Sequence, residues 1–196
     1  MKILLAEDQA MVRGALCALL SLSGEYEIDQ AEDGSQAKAM LEASDYQLLL
    51  TDIEMPGLTG IELAEQLKGS NIKVIVLTTF GRAGYIKRAL EAGVSGFLLK
   101  DAPSDELIKA INQVMAGRKV IDPELALLAV GEQDPLSDKE RRALRLAGEG
   151  KTTAEIAATL FIAEGTARNY LSEAISKLSA VNRIDAARIA RQKGWL

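Results

Sequence analysis

Short apolar runs alternate with longer helical patterns over the first part of the chain. Five runs, at residues 2–6, 26–30, 47–51, 73–78 and 96–99, predict strands, and the segments between them are long enough for helices. Three of the strands contain continuous apolar stretches, namely Ile3-Leu4-Leu5, Leu48-Leu49-Leu50 and Val74-Ile75-Val76-Leu77. Such stretches are typical of strands that are buried on both faces of a parallel sheet. The pattern therefore predicts five βα units in a doubly wound α/β sheet.

The pattern changes after residue 118. Between residues 119 and 135 it is interrupted by Asp122-Pro123, Gly131 and Asp134-Pro135, with one short helical stretch at 124–130, and this indicates a linker. From residue 136 to residue 196 only helical periodicity is found. We therefore expect a first domain at 1–118 and a smaller, all-helical second domain of about 60 residues.

Acidic and basic residues are distributed unevenly between the two parts of the chain. Residues 1–135 contain 12 Lys/Arg and 21 Asp/Glu, whereas residues 136–196 contain 11 Lys/Arg and 7 Asp/Glu. An acidic first part joined to a basic second part suggests that the second domain binds nucleic acid.

The composition excludes several kinds of site. The chain has no histidine, which rules out imidazole bases, histidine metal ligands and a phosphohistidine within this polypeptide. The one cysteine, Cys17, lies in an apolar run and is predicted to be buried. Because Glu7 and Asp8 follow the first apolar residues too early for a signal peptide, we expect a soluble, cytoplasmic protein without a membrane partner.

Polar side chains follow four of the predicted strands. Glu7 and Asp8 come after the first, Asp52 after the third, Thr78 ends the fourth, and Lys100 comes after the fifth. These ends share one edge of a parallel sheet, and in a 2-1-3-4-5 strand order the first and third strands are neighbours. The three carboxylates should therefore converge. A hard cation such as Mg²⁺ would keep them ionised and would suit phosphoryl chemistry.

Each of these residues taken alone has a simpler explanation. A single acid after a strand caps a helix or stays in water, a lone Lys100 is a solvated lysine, and a lone Thr78 is an ordinary strand residue. The functional interpretation depends on their combination at one edge of the sheet.

Residues 1 to about 118 resemble the receiver domain of two-component response regulators, which has a flavodoxin-like (CheY-like) fold. The resemblance rests on the acidic pair Glu7-Asp8, the loop Asp52-Ile53-Glu54-Met55-Pro56-Gly57, Thr78 and Lys100. It implies that Asp52 is the phosphoacceptor nucleophile and that Mg²⁺ is bound by Glu7 or Asp8, Asp52 and the backbone carbonyl of Glu54. It further implies that Thr78 and Lys100 bind the phosphoryl group. For Phe97 two interpretations stay open: it is an aromatic switch residue or an ordinary core residue.

The second domain contains a predicted helix-turn-helix. Thr152 and Glu155 form a capping-box pattern that starts a helix ending at Leu160, and a turn at 161–163 leads into a second helix. That second helix buries an apolar stripe of Ala167, Leu171, Ala174, Ile175 and Leu178. The predicted DNA contacts lie mostly off the stripe: Thr166, Arg168, Asn169, Ser172 and Lys177. For a helix considered alone, a solvated polar face would be the simpler interpretation. The basic charge of the domain and the order of its helices favour DNA binding instead.

Residues 136–183 are similar to the LuxR-type DNA-binding domain. The similar segments include Leu136-Ser137-Asp138-Lys139-Glu140, Thr166-Ala167-Arg168, Lys177-Leu178 and Asn182-Arg183. With the receiver, they identify the chain as a member of the NarL/FixJ family of response regulators, in which it most resembles DesR-type regulators. The resemblance implies a sensor histidine kinase as phosphodonor, a phosphorylation-dependent homodimer on paired half-sites of double-stranded DNA, and RNA polymerase as a further partner.

The sequence leaves two other functions open. Glu7 with Asp52 and Glu54 also loosely resembles the acidic sets of Mg²⁺-dependent enzymes that act on phosphate esters, although the spacing fits those enzymes poorly. A nucleotide-binding module is the weaker candidate, because no glycine-rich loop follows the first strand. Steady turnover would indicate an enzyme, and stoichiometric labelling of Asp52 would indicate a switch.

Overall fold

The computed structural model describes residues 1–22, 24–79, 82–128 and 134–196. The chain forms two compact units, the first built around a parallel sheet and the second built from helices. Over the part of the chain so described, no helix is both long and apolar enough to span a bilayer.

A six-stranded parallel sheet lies at the centre of the first unit. Its strand order is β2-β1-β3-β4-β5-β6. The strands are β1 (Lys2–Ala6), β2 (Glu27–Ala31), β3 (Leu48–Asp52), β4 (Lys73–Thr78), β5 (Gly96–Leu99) and β6 (Val120–Ile121). The doubly wound fold class is confirmed, and the five predicted strands are found with β2 and β3 displaced by one residue.

The sixth strand was not predicted. Val120 and Ile121 pair in parallel register with Gly96 and Phe97 of β5. A two-residue strand followed by Asp122-Pro123 has no recognisable period, because it is stabilised by its partner strand and not by its own pattern. The segment interpreted as a linker therefore contributes β6 and a short helix to the first unit.

Among the residues that the structure describes, six helices accompany the sheet. They are α1 (Ala10–Ser21), α2 (Gly34–Ala43), α3 (Gly60–Gln66), α4 (Ala83–Ala92), α5 (Ser104–Met115) and α6 (Pro123–Leu128). The last corresponds to the helix predicted at 124–130, of which residues 129 and 130 lie outside the described residues. Cys17 on α1 is half-buried, so its predicted burial is only partial.

The sheet has an apolar core on each face. Leu4 and Leu49 point into one cluster, which also contains Phe97, whereas the alternate residues Ile3 and Leu48 point into the other. Because successive strand residues face opposite sides, strands covered on both faces need apolar residues at every position. This explains the continuous apolar runs in the sequence.

In the second unit, the described residues 134–196 form the helices α7 (Asp138–Gly148), α8 (Thr153–Leu160), α9 (Glu164–Lys177) and α10 (Arg183–Gln192). The predicted capping box of α8 is present: the Thr152 side chain accepts from the N–H of Glu155, and the Glu155 carboxylate accepts from the N–H of Thr152. The core contains the predicted stripe residues Ala167, Leu171 and Ala174. The predicted helix, turn and helix are therefore observed.

Candidate functional site

The carboxyl edge of the sheet brings three acidic side chains together. Glu7 follows β1 and Asp52 ends β3, and these two strands are hydrogen-bonded neighbours. One carboxylate oxygen from each of Glu7, Asp8 and Asp52 lies within 4.8 Å of the others. Glu7 and Asp52 are buried and Asp8 is exposed. The convergence expected from the strand order is thus observed.

The Lys100 ammonium pairs with two carboxylates of this cluster. Lys100 directly follows β5, and its Nζ lies 2.7 Å from Glu7 Oε2 and 3.0 Å from Asp52 Oδ2. The two carboxylates raise the pKa of Lys100 above its ordinary value even though burial acts to lower it. Lys100 therefore stays charged in a largely buried position.

The same surroundings favour the uncharged form of Asp52. Burial raises the pKa of Asp52 to about 6, and the neighbouring Glu7 charge adds to the rise. The Lys100 ammonium and the Ile53 N–H, which donates to Asp52 Oδ1 at 2.7 Å, act to lower the pKa of Asp52 but do not offset burial. A further cation at this edge would stabilise the ionised carboxylate.

The loop after β3 approaches the end of the strand closely. The Gly60 N–H donates to the Ile53 carbonyl at 3.0 Å, and a Cβ at Gly60 would lie only 2.0 Å from the Asp52 carbonyl oxygen. A residue with a side chain would push the loop away from Asp52. Gly60 therefore helps to hold the backbone that carries the candidate nucleophile.

Thr78 and Phe97 lie on the adjoining strands. Thr78 is the last residue of β4 and is buried, and its carbonyl accepts from the Lys100 N–H at 2.8 Å. The backbone thus links Thr78 to the lysine of the acidic cluster. Phe97 is fully buried in the apolar core on β5. A buried position is compatible both with a switch residue and with an ordinary core residue. The role of Phe97 as a switch therefore stays a prediction.

Glu54 lies two residues after Asp52, but its side chain points elsewhere. Its carboxylate accepts a hydrogen bond from the hydroxyl of Tyr85 on α4. Glu54 is exposed, whereas Tyr85 is buried. Tyr85 was missed in the sequence, because no local pattern places a tyrosine of α4 beside the loop after β3.

The second unit presents a polar face on α9. Arg168, Asn169 and Ser172 are exposed, Thr166 is half-buried, and the opposite side of the helix is in the core. The Arg168 guanidinium pairs with Glu164 one turn earlier at 3.0 Å, and both side chains are exposed. Such a pair is worth little and leaves Arg168 available to a ligand.

Lys177 has different surroundings from the other predicted DNA contacts. Its Nζ lies 2.8 Å from both carboxylate oxygens of Glu140, a buried residue in the first turn of α7. The pKa of Glu140 is lowered: burial acts to raise it, but Lys177 and the capping Ser137 outweigh burial. Lys177 therefore links α9 to α7, a contact that the sequence pattern did not indicate.

Comparisons with known proteins agree with both units. Residues 3–112 match the response regulator receiver domain, and residues 134–190 match the bacterial regulatory proteins of the luxR family. The chain is 46% identical over 194 residues to the transcriptional regulatory protein DesR of Bacillus subtilis (strain 168), covering 98% of each chain. The chain belongs to the LuxR-type response regulators. This confirms the NarL/FixJ family resemblance predicted from the motifs.

Two further matches extend over almost the whole chain. The uncharacterized transcriptional regulatory protein YvfU of the same Bacillus strain is 44% identical over 198 residues, covering 100% of this chain and 99% of YvfU. The structure is also similar to that of RcsB from Salmonella enterica serovar Typhimurium bound to promoter rprA in the presence of phosphomimetic BeF3⁻. The TM-score is 0.72 at 27% identity, with 96% of this chain and 97% of RcsB covered. The protein is thus a response regulator with a receiver domain and a LuxR-type DNA-binding domain.

Proposed function

We propose that Mg²⁺-dependent phosphorylation of Asp52 by a partner sensor histidine kinase switches dimerisation and sequence-specific DNA binding by this response regulator. The observation that carries the proposal is the position of the Asp52 carboxylate. It lies within 4.8 Å of the Glu7 and Asp8 carboxylates and 3.0 Å from the Lys100 ammonium. An aspartate between acidic ligands and a largely buried lysine is equipped to accept a phosphoryl group.

The acidic cluster has the donor chemistry that Mg²⁺ requires. Three carboxylates face one another with a single lysine between two of them, and hard oxygen ligands are those that Mg²⁺ prefers. Glu7 or Asp8, Asp52 and the Glu54 carbonyl would hold the ion. When bound, Mg²⁺ supplies positive charge that offsets the charges of the carboxylates and of the phosphoryl oxygens.

The steps of phosphoryl transfer are carried out by side chains of this protein. An Asp52 carboxylate oxygen attacks phosphorus, an O–P bond forms, and the bond from phosphorus to the donor's leaving group breaks with its electrons on that group. Lys100 offsets the charge that develops on the phosphoryl oxygens. The product adds about two negative charges and three acceptor oxygens, to which Thr78 can donate its hydroxyl.

The switch is proposed to run through Thr78 and Phe97. When the Thr78 hydroxyl turns toward the phosphoryl group, Phe97 on the neighbouring strand gains space, which would change the packing of the receiver. Thr78→Ala should therefore still accept a phosphoryl group but show little phosphorylation-dependent gain in DNA affinity. An unchanged gain would remove Thr78 from the switch.

DNA binding is assigned to the exposed face of α9. We propose that Arg168 and Asn169 read base edges in the major groove and that Thr166 and Ser172 contact phosphates or bases. Among the five predicted DNA contacts, Lys177 has the least support, because its ammonium is already paired with Glu140. A homodimer would place two such helices on paired half-sites, and RNA polymerase is proposed as the partner in transcription control.

The cellular location of the protein and the stoichiometry of its phosphorylation are also proposed. The protein is proposed to act in the cytoplasm, where its kinase and promoter DNA are both accessible, and to be a stoichiometric phosphoacceptor with slow self-dephosphorylation. The relatives that it matches are transcriptional regulators by name. A Mg²⁺-dependent enzyme of phosphate esters, the alternative from the sequence, would instead release product continuously.

One experiment tests the phosphoacceptor directly. The wild type, Asp52→Asn and the exposed control Asp101→Asn are incubated with Mg²⁺ and acetyl phosphate, and intact mass and oligomeric state are measured. We expect one phosphoryl group and a shift toward dimer for the wild type and for Asp101→Asn, and neither change for Asp52→Asn. Equal labelling of all three proteins, or steady release of phosphate without labelling, would contradict the proposal.

A further inference from the structure

An apolar side chain lies almost fully in solvent at the turn of the helix-turn-helix. Phe161, which directly follows α8, is 95% exposed, more than any other large apolar side chain among the described residues. Its two neighbours along the chain, Leu160 and Ile162, both pack against the core of the second unit. The turn therefore directs one aromatic ring outward and leaves its surface open to water.

The backbone at Phe161 is also unfavourable for a phenylalanine. Its φ is 55° and its ψ is 45°, in the left-handed region that residues other than glycine and asparagine rarely adopt. After other helices this chain has a glycine at positive φ, namely Gly93 after α4, Gly117 after α5, Gly150 after α7 and Gly194 after α10. Phe161 thus combines an exposed apolar ring with a backbone conformation that favours glycine.

Hydrogen bonds hold the turn at Phe161 in place. The Phe161 N–H donates to the Ala158 carbonyl at 3.3 Å. The Ile162 N–H donates to the Ala157 carbonyl at 3.0 Å, and α9 begins at Glu164. A ring on a fixed backbone loses little conformational freedom when a ligand covers it.

The position of Phe161 beside the recognition helix points to DNA as the ligand. A recognition helix places its N-terminal residues against base edges in the major groove, and Phe161 lies three residues before the start of α9. The surroundings disfavour a phosphate, because the Glu164 carboxylate in the first turn of α9 is 53% exposed and would repel one. The thymine C5-methyl is the apolar group that base pairs present in the major groove, and a phenylalanine ring is suited to contact it.

We propose that Phe161 is a specificity-determining residue whose ring packs against a thymine methyl group in each half-site. The inference rests on the proposed binding of DNA by the exposed face of α9. It adds an apolar contact to the polar contacts assigned to Arg168 and Asn169. It also gives a reason for a phenylalanine at a turn position where glycine would be more stable, because the side chain that is unfavourable in the free protein contributes to the complex.

The test uses full-length wild type, Phe161→Gly and Phe161→Leu, each treated with Mg²⁺ and acetyl phosphate, and a duplex that the wild type selects from a random pool. Affinities are measured at one salt concentration on this duplex and on versions in which one thymine of each half-site is replaced by deoxyuridine. This replacement removes only the methyl group. Each thymine position is tested in turn.

At one thymine position, deoxyuridine should weaken binding of the wild type by about fourfold per half-site, from one buried methyl group, and by about 15-fold when both half-sites are bound. Phe161→Gly should lose as much affinity on the thymine duplex and nothing further on the deoxyuridine duplex, because the ring and the methyl group form one contact. Phe161→Leu keeps an apolar side chain and should retain most of the affinity and the sensitivity to deoxyuridine.

Ser179→Gly provides a matched control. Ser179 is exposed and follows α9 with a φ of 50°. Its N–H donates to the Ser176 carbonyl at 3.1 Å, and the next N–H along the chain donates to the Ile175 carbonyl at 3.0 Å, as in the turn at Phe161. Both glycine variants should therefore raise the melting temperature of the second unit, followed by Trp195 fluorescence, by about 3–6 °C. The loss of DNA affinity should be confined to Phe161→Gly.

The outcomes distinguish this inference from the proposed function. If Arg168→Ala weakens binding to the selected duplex but Phe161→Gly binds it like the wild type, the ring does not contact DNA, and DNA binding by α9 stands. The inference is also refuted if deoxyuridine never weakens binding of the wild type, or if it weakens binding of Phe161→Gly equally, since the effect of the glycine would then be on the turn alone. If Arg168→Ala binds like the wild type, the DNA face assigned to α9 fails first.

Discussion

The pair of Glu140 and Lys177 should stabilise the second unit, and this can be measured separately from DNA binding. Lys177→Met keeps most of the aliphatic stem and removes the charge. It leaves a Glu140 carboxylate that is only 8% exposed and that still accepts from the Ser137 N–H at 2.8 Å. A buried charge that loses its counter-ion is the usual cause of large destabilisation in such pairs.

The size of the effect follows from the exposure of each partner. Removing one partner of a fully buried pair costs about 3–5 kcal/mol. Lys177 is 36% exposed, so water can reach the Glu140 carboxylate in the variant, and we expect a smaller loss of about 1–3 kcal/mol in the free energy of unfolding. Glu140→Gln together with Lys177→Met should cost less than the sum of the single changes, because the pair acts as a unit.

The dependence on pH provides a second check. The pKa of Glu140 is lowered below the ordinary value of 4.5, so its contribution to stability is fully present above pH 4.5 and is lost as the pH falls through the folded value. The difference between wild type and Lys177→Met should therefore be largest near neutral pH and should shrink in acid.

Trp195 is a suitable probe for this measurement. It is the one tryptophan of the chain, and it is buried in the core of the second unit. Its fluorescence during urea unfolding reports on the unit that contains the pair. If Lys177→Met leaves the unfolding curve unchanged and instead lowers the slope of log affinity against log salt by about 0.9, Lys177 is a phosphate contact and the reasoning is refuted.

Three further predictions concern the acidic site and the recognition helix. Gly60→Ala should destabilise the first unit by about 1–3 kcal/mol in calorimetry, because the new methyl group would lie 2.0 Å from the Asp52 carbonyl oxygen, whereas Gly14→Ala, with no atom within 4 Å, should be neutral or stabilising. Burial raises the pKa of Asp52 to about 6. The protonated form of Asp52 therefore contributes to the free energy of unfolding; this contribution is fully present below pH 3.8 and is lost as the pH rises through about 6. Asp52→Asn should therefore raise the melting temperature at pH 8 and much less at pH 3, and a gain confined to acid would contradict this. Arg168→Ala should weaken binding to a duplex selected by the wild type more than binding to a scrambled duplex at the same salt concentration; equal losses would make Arg168 a phosphate contact.

Much of the first unit was predictable because its strands are locally encoded. The strands β1, β4 and β5 begin and end where the predicted strands do, and the observed strand order is one of the two that are common in doubly wound sheets. In that order β1 and β3 are neighbours, and the convergence of Glu7, Asp8 and Asp52 follows from it. In the second unit, the capping box at Thr152 predicted the start of α8 for a similar reason, since its two partners are three residues apart.

The contacts that could not be predicted join residues that are far apart in the chain. The strand β6 exists because it pairs with β5, Lys177 on α9 reaches Glu140 on α7, and Tyr85 reaches Glu54. None of these partners leaves a periodic signal. The sequence by itself therefore determined the elements other than β6, the family and the members of the acidic cluster, because local periodicity and short spacings encode them. The tertiary structure alone decided which charges are paired and which stay exposed, because pairing depends on side-chain positions set by packing between distant elements.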